Sequence, residues 1–348
     1  MKECHQSTRS IQEMAASDTQ DDGFEAGEVF TGPEDCQIVL HYQGVRFIIV
    51  MIRLNDWKDS DIVESLFQKI NEAENDPDKM TYHRCLEDVR ETAIAACKKA
   101  MYKLASSVPN SNKVRSLDDF LHPTTFYLRL STVEGHLQAT KMDDVGNYVS
   151  MHQCVHISMH CLPHLIQQLI PASHLKFLGD LYMAKIIKVS NNGKACVFKS
   201  ATYRAENQLK REIYTLQRMA ERWGPDRDRP RIPRLLGLVT SGDKIVGILE
   251  EFVDGENLFA LDLTKSSVEE RRAWKMQIES TVKLLHQNGF VWGDVKPGNV
   301  LIDKSREAWL IDFGGEWTDG WVDEHLKQTV QGDMQGLQRV VQFLASGV

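Results

Sequence analysis

The stretch His286–Gly315, HQNGFVWGDVKPGNVLIDKSREAWLIDFGG, carries two aspartates, Asp294 and Asp312, each close to a glycine, with Lys296 and Asn299 between them. Its two apolar runs, Val300-Leu301-Ile302 and Trp309-Leu310-Ile311, read as short strands. A core hairpin needs the apolar runs and gains nothing from so many polar groups beside them, because a polar group taken out of water must find a partner. The stretch therefore asks for a chemical reason.

The rest of the chain sets the bounds. Its 348 residues suffice for one large domain or two ordinary ones, and 42% apolar content is enough for real cores. Lys and Arg number 41 against 49 acidic residues, and the net charge of −8 gives no electrostatic reason to expect a nucleic acid or an anionic membrane as partner. Seven cysteines without a Cys-x-x-Cys pair argue against a disulfide framework and for a reducing compartment, the cytoplasm first, with the nucleus also open. The N-terminus lacks the pattern of a signal peptide, and the longest apolar run, Phe47 to Ile52, is far too short to span a bilayer.

Composition divides the chain. Residues 1–30 are polar and acidic and read as a disordered tail. Residues 31–165 read as an α/β region of unassigned role. It comprises two strands around Gln43-Gly44, helical spacing over 61–105 interrupted at Asp76-Pro77, a loop at 106–116, and a hairpin turning at Glu134-Gly135. Residues 170–348 form the second region. Two strands meet at Asn192-Gly193, which places Lys199 late in a strand. Leu209, Ile213 and Leu216 then recur at helical spacing and put Glu212 on a helix, thirteen residues after Lys199. Two further strands around Ser241-Gly242 follow. Ser267 and Glu270 form a capping box, and Trp274, Ile278, Val282 and Leu285 make one stripe that stops at Asn288-Gly289.

A nucleoside triphosphate held with Mg²⁺ needs hard oxygen ligands, a cation for its phosphates and an acceptor for the nucleophile's proton. Asp294, Lys296, Asn299 and Asp312 supply that set. Asp-x-Lys-Pro-x-Asn, then a strand and Asp-Phe-Gly, resembles the catalytic loop and metal-binding turn of the protein kinase superfamily. More narrowly, VWGDVKPGNVLID, WLIDFGGEWTDGWVD and TVQGDMQGLQRVVQFL resemble kinase-like proteins of filamentous fungi.

That resemblance, running from Leu175 to Leu344, implies a set of roles. Asp294 is the catalytic base, Lys296 steadies the transferred phosphoryl group, and Asn299 with Asp312 holds Mg²⁺. Lys199 reaches the phosphates of ATP and pairs with Glu212, Gly179 belongs to the phosphate-covering strand turn, and backbone groups from Glu251 to Val253 meet the adenine edge. Asp333 braces the catalytic loop. The implied fold is α+β and bilobal, with an antiparallel sheet plus helix over 170–254 and a shortened, mostly helical lobe over 255–348.

Departures from the pattern carry expectations of their own. The segment KFLGDLYMAK offers Gly179 alone where three glycines are usual, and Asp180 after it would repel phosphate if it faced inward. Gly293 stands where an arginine commonly precedes the catalytic aspartate, so no partner awaits an activating phosphate. Trp292 replaces the usual histidine. Glu250, at the back of the adenine pocket, is an acid that needs a partner if buried. Only twenty residues separate Asp312 from Asp333, with no Ala-Pro-Glu segment, so the usual peptide-docking platform is missing or replaced by the N-terminal region, which could also meet a protein partner.

Two other clusters read as structural. His152, Cys154, His156, His160, Cys161 and His164 lack zinc spacing and interleave with apolar residues, and Trp317 with Trp321 is a packing pair in the first instance. The expected function is ATP- and Mg²⁺-dependent phosphoryl transfer to a hydroxyl acceptor. A nucleotide-responsive pseudokinase and a small-molecule kinase are the alternatives.

Overall fold

The computed structural model describes residues 24–32, 34–53, 61–76, 79–108, 116–144, 168–182, 185–201, 206–224 and 229–347. Described residues 24–144 form one compact unit and residues 168–347 another. The His/Cys-rich segment 151–164 and most of the predicted loop 106–116 lie outside the described residues.

The first unit is a five-stranded sheet in sequence order: β1 (Phe24–Thr31), β2 (Asp35–Tyr42), β3 (Val45–Ile52), β4 (Thr125–Val133) and β5 (His136–Lys141). Gln43-Gly44 and Glu134-Gly135 both adopt positive φ at their two positions, the geometry that matches a tight turn to the twist of its strands. Strands β3 and β4 run parallel, which requires a crossover. Helices α1 (Ile62–Glu74), α2 (Lys79–Ala105) and α3 (Leu117–Leu121) provide it. The stripes Val63, Leu66, Phe67, Ile70 and Val89, Ala93, Cys97, Met101 pack on Ile38, Leu40, Phe47, Ile49 and Met51 of the sheet.

One expectation fails here. Residues 24–30, read from composition as part of the disordered tail, belong to the edge strand β1, paired with β2 from Phe24↔Tyr42 to Thr31↔Cys36. Its order comes from backbone pairing and from Phe24 stacking on Tyr42 at 4.5 Å, neither of which polar composition reports. The rest of the predicted tail lies outside the described residues.

The second unit holds a six-stranded sheet in the order β6-β10-β11-β9-β8-β7. These are β6 (Leu169–Pro171), β7 (Lys176–Tyr182), β8 (Ile186–Asn191), β9 (Lys194–Ser200), β10 (Leu235–Ser241) and β11 (Lys244–Glu251). All pairs are antiparallel except β6 with β10. Between β9 and β10 runs α4 (Glu206–Trp223). Its Leu209 and Ile213 pack under the sheet against Leu238, Ile245 and Ile248. Leu216 and Met219, farther along, join the other core of this unit. One amphipathic face therefore touches both halves.

That other core is built on α5 (Val268–Gln287), a small sheet of β12 (Gly255–Asn257), β13 (Val300–Asp303) and β14 (Ala308–Leu310), and α6 (Val330–Ser346). Ser267 accepts from the Glu270 amide at 3.1 Å and Glu270 accepts from the Ser267 amide at 2.9 Å, which satisfies two amides that the first turn of α5 leaves open. Trp274, Ile278, Val282 and Leu285 line its buried face against Trp292, Val295, Leu310 and Phe313. Helix α6 approaches the loop after Trp292 so closely that a Cβ on Gly336 would lie 2.7 Å from Val295 Cβ and 2.8 Å from the Val295 carbonyl oxygen.

Gly336→Ala thus tests the packing by the sign of its effect. Helix propensity alone would make it stabilising by roughly 1 kcal/mol, whereas overpacking against backbone should lower stability by about 1–3 kcal/mol. A urea midpoint below that of the parent is expected; a higher one would mean that α6 and this loop do not meet as described.

Candidate functional site

The site lies wholly within the second unit, and its construction starts from Lys199. Strand β9 pairs Lys199 with Ile248 on one side and Ile186 on the other, which fixes the residue centrally in the sheet. Its ammonium meets Glu212 Oε1 of α4 at 2.5 Å and Glu250 Oε2 of β11 at 3.3 Å. Glu212, buried on the sheet-facing side of α4, also accepts from the Phe313 amide at 3.1 Å. Burial alone would push the Lys199 ammonium down. Glu212, Glu250 and Asp312 outweigh it, and the ammonium is held above its ordinary value. For Glu212, burial pushes the carboxyl up and Lys199 pulls it back.

Asp312 follows β14 with φ of 63°, a left-handed conformation that is uncommon for a residue with a Cβ and clusters at functional sites. Its Oδ1 accepts from the Gly314 amide at 3.3 Å.

Asp294 is 2% exposed and held from three directions. Lys296 Nζ lies 2.7 Å from Oδ2, the Asn299 side-chain amide donates to the same oxygen at 3.0 Å, and the Thr318 hydroxyl donates to Oδ1 at 3.0 Å. Lys296 also donates to Thr318 Oγ1 at 2.9 Å, which closes a ring of contacts. The Asn299 amide reaches the Asp294 backbone carbonyl as well, at 2.9 Å. A 3₁₀ turn over Pro297–Asn299 places that side chain back over the loop.

The loop itself hangs from Asp333, 1% exposed in the first turn of α6. Its carboxylate accepts from the amides of Trp292 and Gly293, both at 2.8 Å, and lies 2.8 Å from His286 Nε2. Trp292 is fully buried, and its indole N–H donates to the Ile311 carbonyl at 2.9 Å, so the loop is tied to the strand that delivers Asp312.

Arg211, one residue before Glu212, donates to the carbonyls of Val291, Trp292 and Phe313. Room for its guanidinium comes from two glycines. A Cβ on Gly315 would lie 2.3 Å from Arg211 Nη1, and one on Gly293 3.0 Å from Nη2. Both glycines also have positive φ.

The remaining residues singled out by sequence stand as follows. Gly179 is on β7, flanked by irregularities in the β7–β8 pairing. Asp180 is exposed and accepts from the Tyr182 amide at 2.9 Å. Glu251 is the last residue of β11 and pairs with Arg229 at 3.4 Å, while Val253 is buried in the connection to β12. Trp321 packs edge-on to Phe343 at 6.1 Å, and Trp317 is half-buried.

Sequence reasoning missed Thr318 and Arg211. Nothing local marks Thr318, because its importance is a contact to Asp294, 24 residues away. Arg211 left a faint signal in Gly293 and Gly315, two glycines beside the destination of a half-buried arginine rather than in an exposed turn.

Residues 175–319 match the family model described as "Protein kinase domain". This stretch is protein-kinase-like. It is similar to CBL-interacting protein kinase 17 of Oryza sativa subsp. japonica, 30% identical over 130 residues, which cover 37% of this chain and 26% of that protein. It is similar also to serine/threonine-protein kinase OXI1 of Arabidopsis thaliana, 33% identical over 90 residues, covering 25% of this chain and 21% of the relative. Protein kinase kin1 of Schizosaccharomyces pombe is 30% identical over 149 residues, 41% of this chain and 16% of its own length. The matched stretches thus span about a quarter or less of these relatives.

Arg211→Lys keeps the charge of the kinase-like site but loses the planar fork that serves several carbonyls at once. Each buried carbonyl left without a donor costs about 1–3 kcal/mol. Faster amide exchange at Val291–Gly293 and Phe313 is expected, with the β2–β3 hairpin as an internal control. Unchanged exchange at those four residues would show that Arg211 does not brace them.

Proposed function

We propose that the chain transfers the γ-phosphoryl group of ATP, with Mg²⁺, to a hydroxyl acceptor. The observation that carries this reading is the setting of Asp294. It is buried, gripped by Lys296, Asn299 and Thr318, and sits on a loop pinned by Asp333. A positioned carboxylate of this kind suits a general base for the acceptor's hydroxyl, a role typically worth 10²–10⁴-fold. Lys296, bridging Asp294 and Thr318, is placed to steady a phosphoryl group that approaches the base.

Donor chemistry supports the cofactors. The Asn299 side chain directs its N–H groups at Asp294, which leaves its amide oxygen for a cation. Asp312 receives one amide on Oδ1 and offers a second carboxylate oxygen. Among the described residues no group of three His, Cys, Asp or Glu could hold a metal ion by itself. Two oxygen donors suit Mg²⁺, which is usually bound through one or two carboxylates plus substrate phosphates. When bound, it would neutralise charge gathering on the phosphate oxygens. Lys199, kept protonated by its carboxylates, would draw the triphosphate in, and the backbone from Glu251 to Val253 would border the base.

The lone Gly179 on β7 favours a second reading, a nucleotide-responsive pseudokinase, in which the same residues bind ATP without transferring phosphate. The short span from Asp312 to Asp333 favours a small-molecule acceptor over a docked peptide. Between Asp312 and the start of α6 at Val330 the described structure has a single 3₁₀ turn at Glu324–Leu326. Likeness to fungal kinase-like proteins rests on the three sequence segments quoted above. Cys36, Cys85, Cys97 and Cys196 are unpaired, which suits work in the cytoplasm.

Radiolabelled ATP added to cell lysate with the parent protein, Asp294→Asn or Asp312→Asn provides the test. Label should enter an acceptor with the parent and fall by at least ~100-fold with either variant. Equal labelling by all three would remove both assigned roles. Stabilisation by Mg²⁺–ATP of about 2.7 kcal/mol at a hundredfold excess over Kd, without any labelling, would decide for the pseudokinase. Partition of label between metabolites and protein would identify the acceptor class.

A further inference from the structure

Lys199 has more counter-charge than it needs. Glu212 alone neutralises it, at 2.5 Å, and is itself satisfied by the Phe313 amide. Yet Glu250 Oε2 stands 3.3 Å away on the neighbouring strand. Glu250 is 3% exposed, and its other oxygen, Oε1, is buried with no hydrogen-bond partner. A second buried carboxylate with an orphaned oxygen is a poor device for stability, because desolvation costs more than a shared lysine returns. A buried acid of this kind calls for another explanation.

Position supplies one. Glu250 is the residue before Glu251, where β11 ends and the connection bordering the proposed base site begins. From there its carboxylate stands as a second negative charge beside the Lys199 ammonium, next to that of Glu212. We propose that Glu250 is a competing counter-ion that draws Lys199 away from the triphosphate and so sets the nucleotide affinity of the cleft. This rests on the reading of Lys199 as the phosphate anchor.

The groups facing Glu250 are Lys199 on β9, Glu212 on α4 and Asp312 after β14. Burial and then Glu212 push its carboxyl up to about 8, with Lys199 pulling down and Asp312 adding a smaller push upward. A carboxyl raised in this way is mainly neutral at pH 7, where it releases Lys199, and mainly charged at pH 9, where it holds it. Nucleotide affinity should therefore fall as pH rises through that range.

The experiment is calorimetric titration of Mg²⁺–ATP into the parent protein, Glu250→Gln, Glu250→Met and Lys199→Met at pH 7 and pH 9, each first shown to melt cooperatively. At pH 9 both Glu250 variants should bind about tenfold more tightly than the parent, the scale of one charge removed at a few ångströms in a partly screened site. At pH 7 the gap should shrink, and Lys199→Met should bind weakly at both. The methionine variant fills the space without charge and keeps the test open if glutamine is poorly tolerated. A parent affinity that is flat between the two pH values overturns the proposal. So do Glu250 variants that bind no better than the parent at pH 9 while Lys199→Met remains weak. If Lys199→Met binds like the parent, the anchor reading itself fails, and the two failures are told apart by that variant alone.

Discussion

One buried carboxylate, that of Glu212, joins three parts of the second unit that sequence keeps apart. It accepts from Lys199 on the six-stranded sheet and from the amide of Phe313 in the turn after β14, and it is carried by α4, whose apolar face touches both cores. Breaking such a pair by removing one partner leaves an uncompensated charge and costs about 3–5 kcal/mol. The helix therefore cannot drift from the sheet without also releasing the turn that holds Asp312. Position of the lysine, position of the helix and position of the second aspartate are one equilibrium rather than three.

Around this joint the chain replaces absent residues with different ones that meet the same physical needs. Where a histidine is usual before the loop, the Trp292 indole ties the loop to the Ile311 carbonyl. Just before Asp294, where the resembling pattern has an arginine, Gly293 leaves space, and the guanidinium of Arg211 occupies it from α4. The consequence differs from the usual arrangement. Arg211 is directed at three carbonyls, and its acceptors are part of the fold rather than a phosphate that comes and goes. Helix α4 is thereby tied to the loop by contacts that need no modification.

Much of this was legible because it follows local rules. The dipeptides Gln43-Gly44 and Asn192-Gly193 announced hairpins through the positive φ they tolerate, and Ser267 with Glu270 announced the start of α5 through reciprocal amide capping. The hairpin at Asn192-Gly193 and the helical spacing after it place Lys199 on a strand and Glu212 on a helix, whereas their pairing is what the resemblance to protein kinases implies. The misses share a cause too. Strand β1 owes its order to pairing with β2, and the three residues of β6 owe theirs to running parallel with β10, so neither leaves an apolar pattern of its own. Arg211 lies in the run Lys210-Arg211-Glu212, where sequence alone does not say which charged side chain turns inward. Glu250 was recognisable as an anomaly, but its partner became visible only when β9 and β11 were laid side by side.

The compressed stretch between Asp312 and Asp333 shows what a short segment must still supply. Thr318 reaches both Asp294 and Lys296, and Gln328 donates to the carbonyl of Gly315, so the segment is fastened in its first third and near its end. Thr329 then caps α6 by accepting from the Gly332 amide at 3.0 Å, which delivers Asp333 one turn later to the amides of Trp292 and Gly293. The segment and the helix it leads into thus add Thr318 and Asp333 to the contacts that Lys296 and Asn299 already make with Asp294 from within its own loop. A longer segment would add exposed surface between these contacts without changing the partners of Asp294.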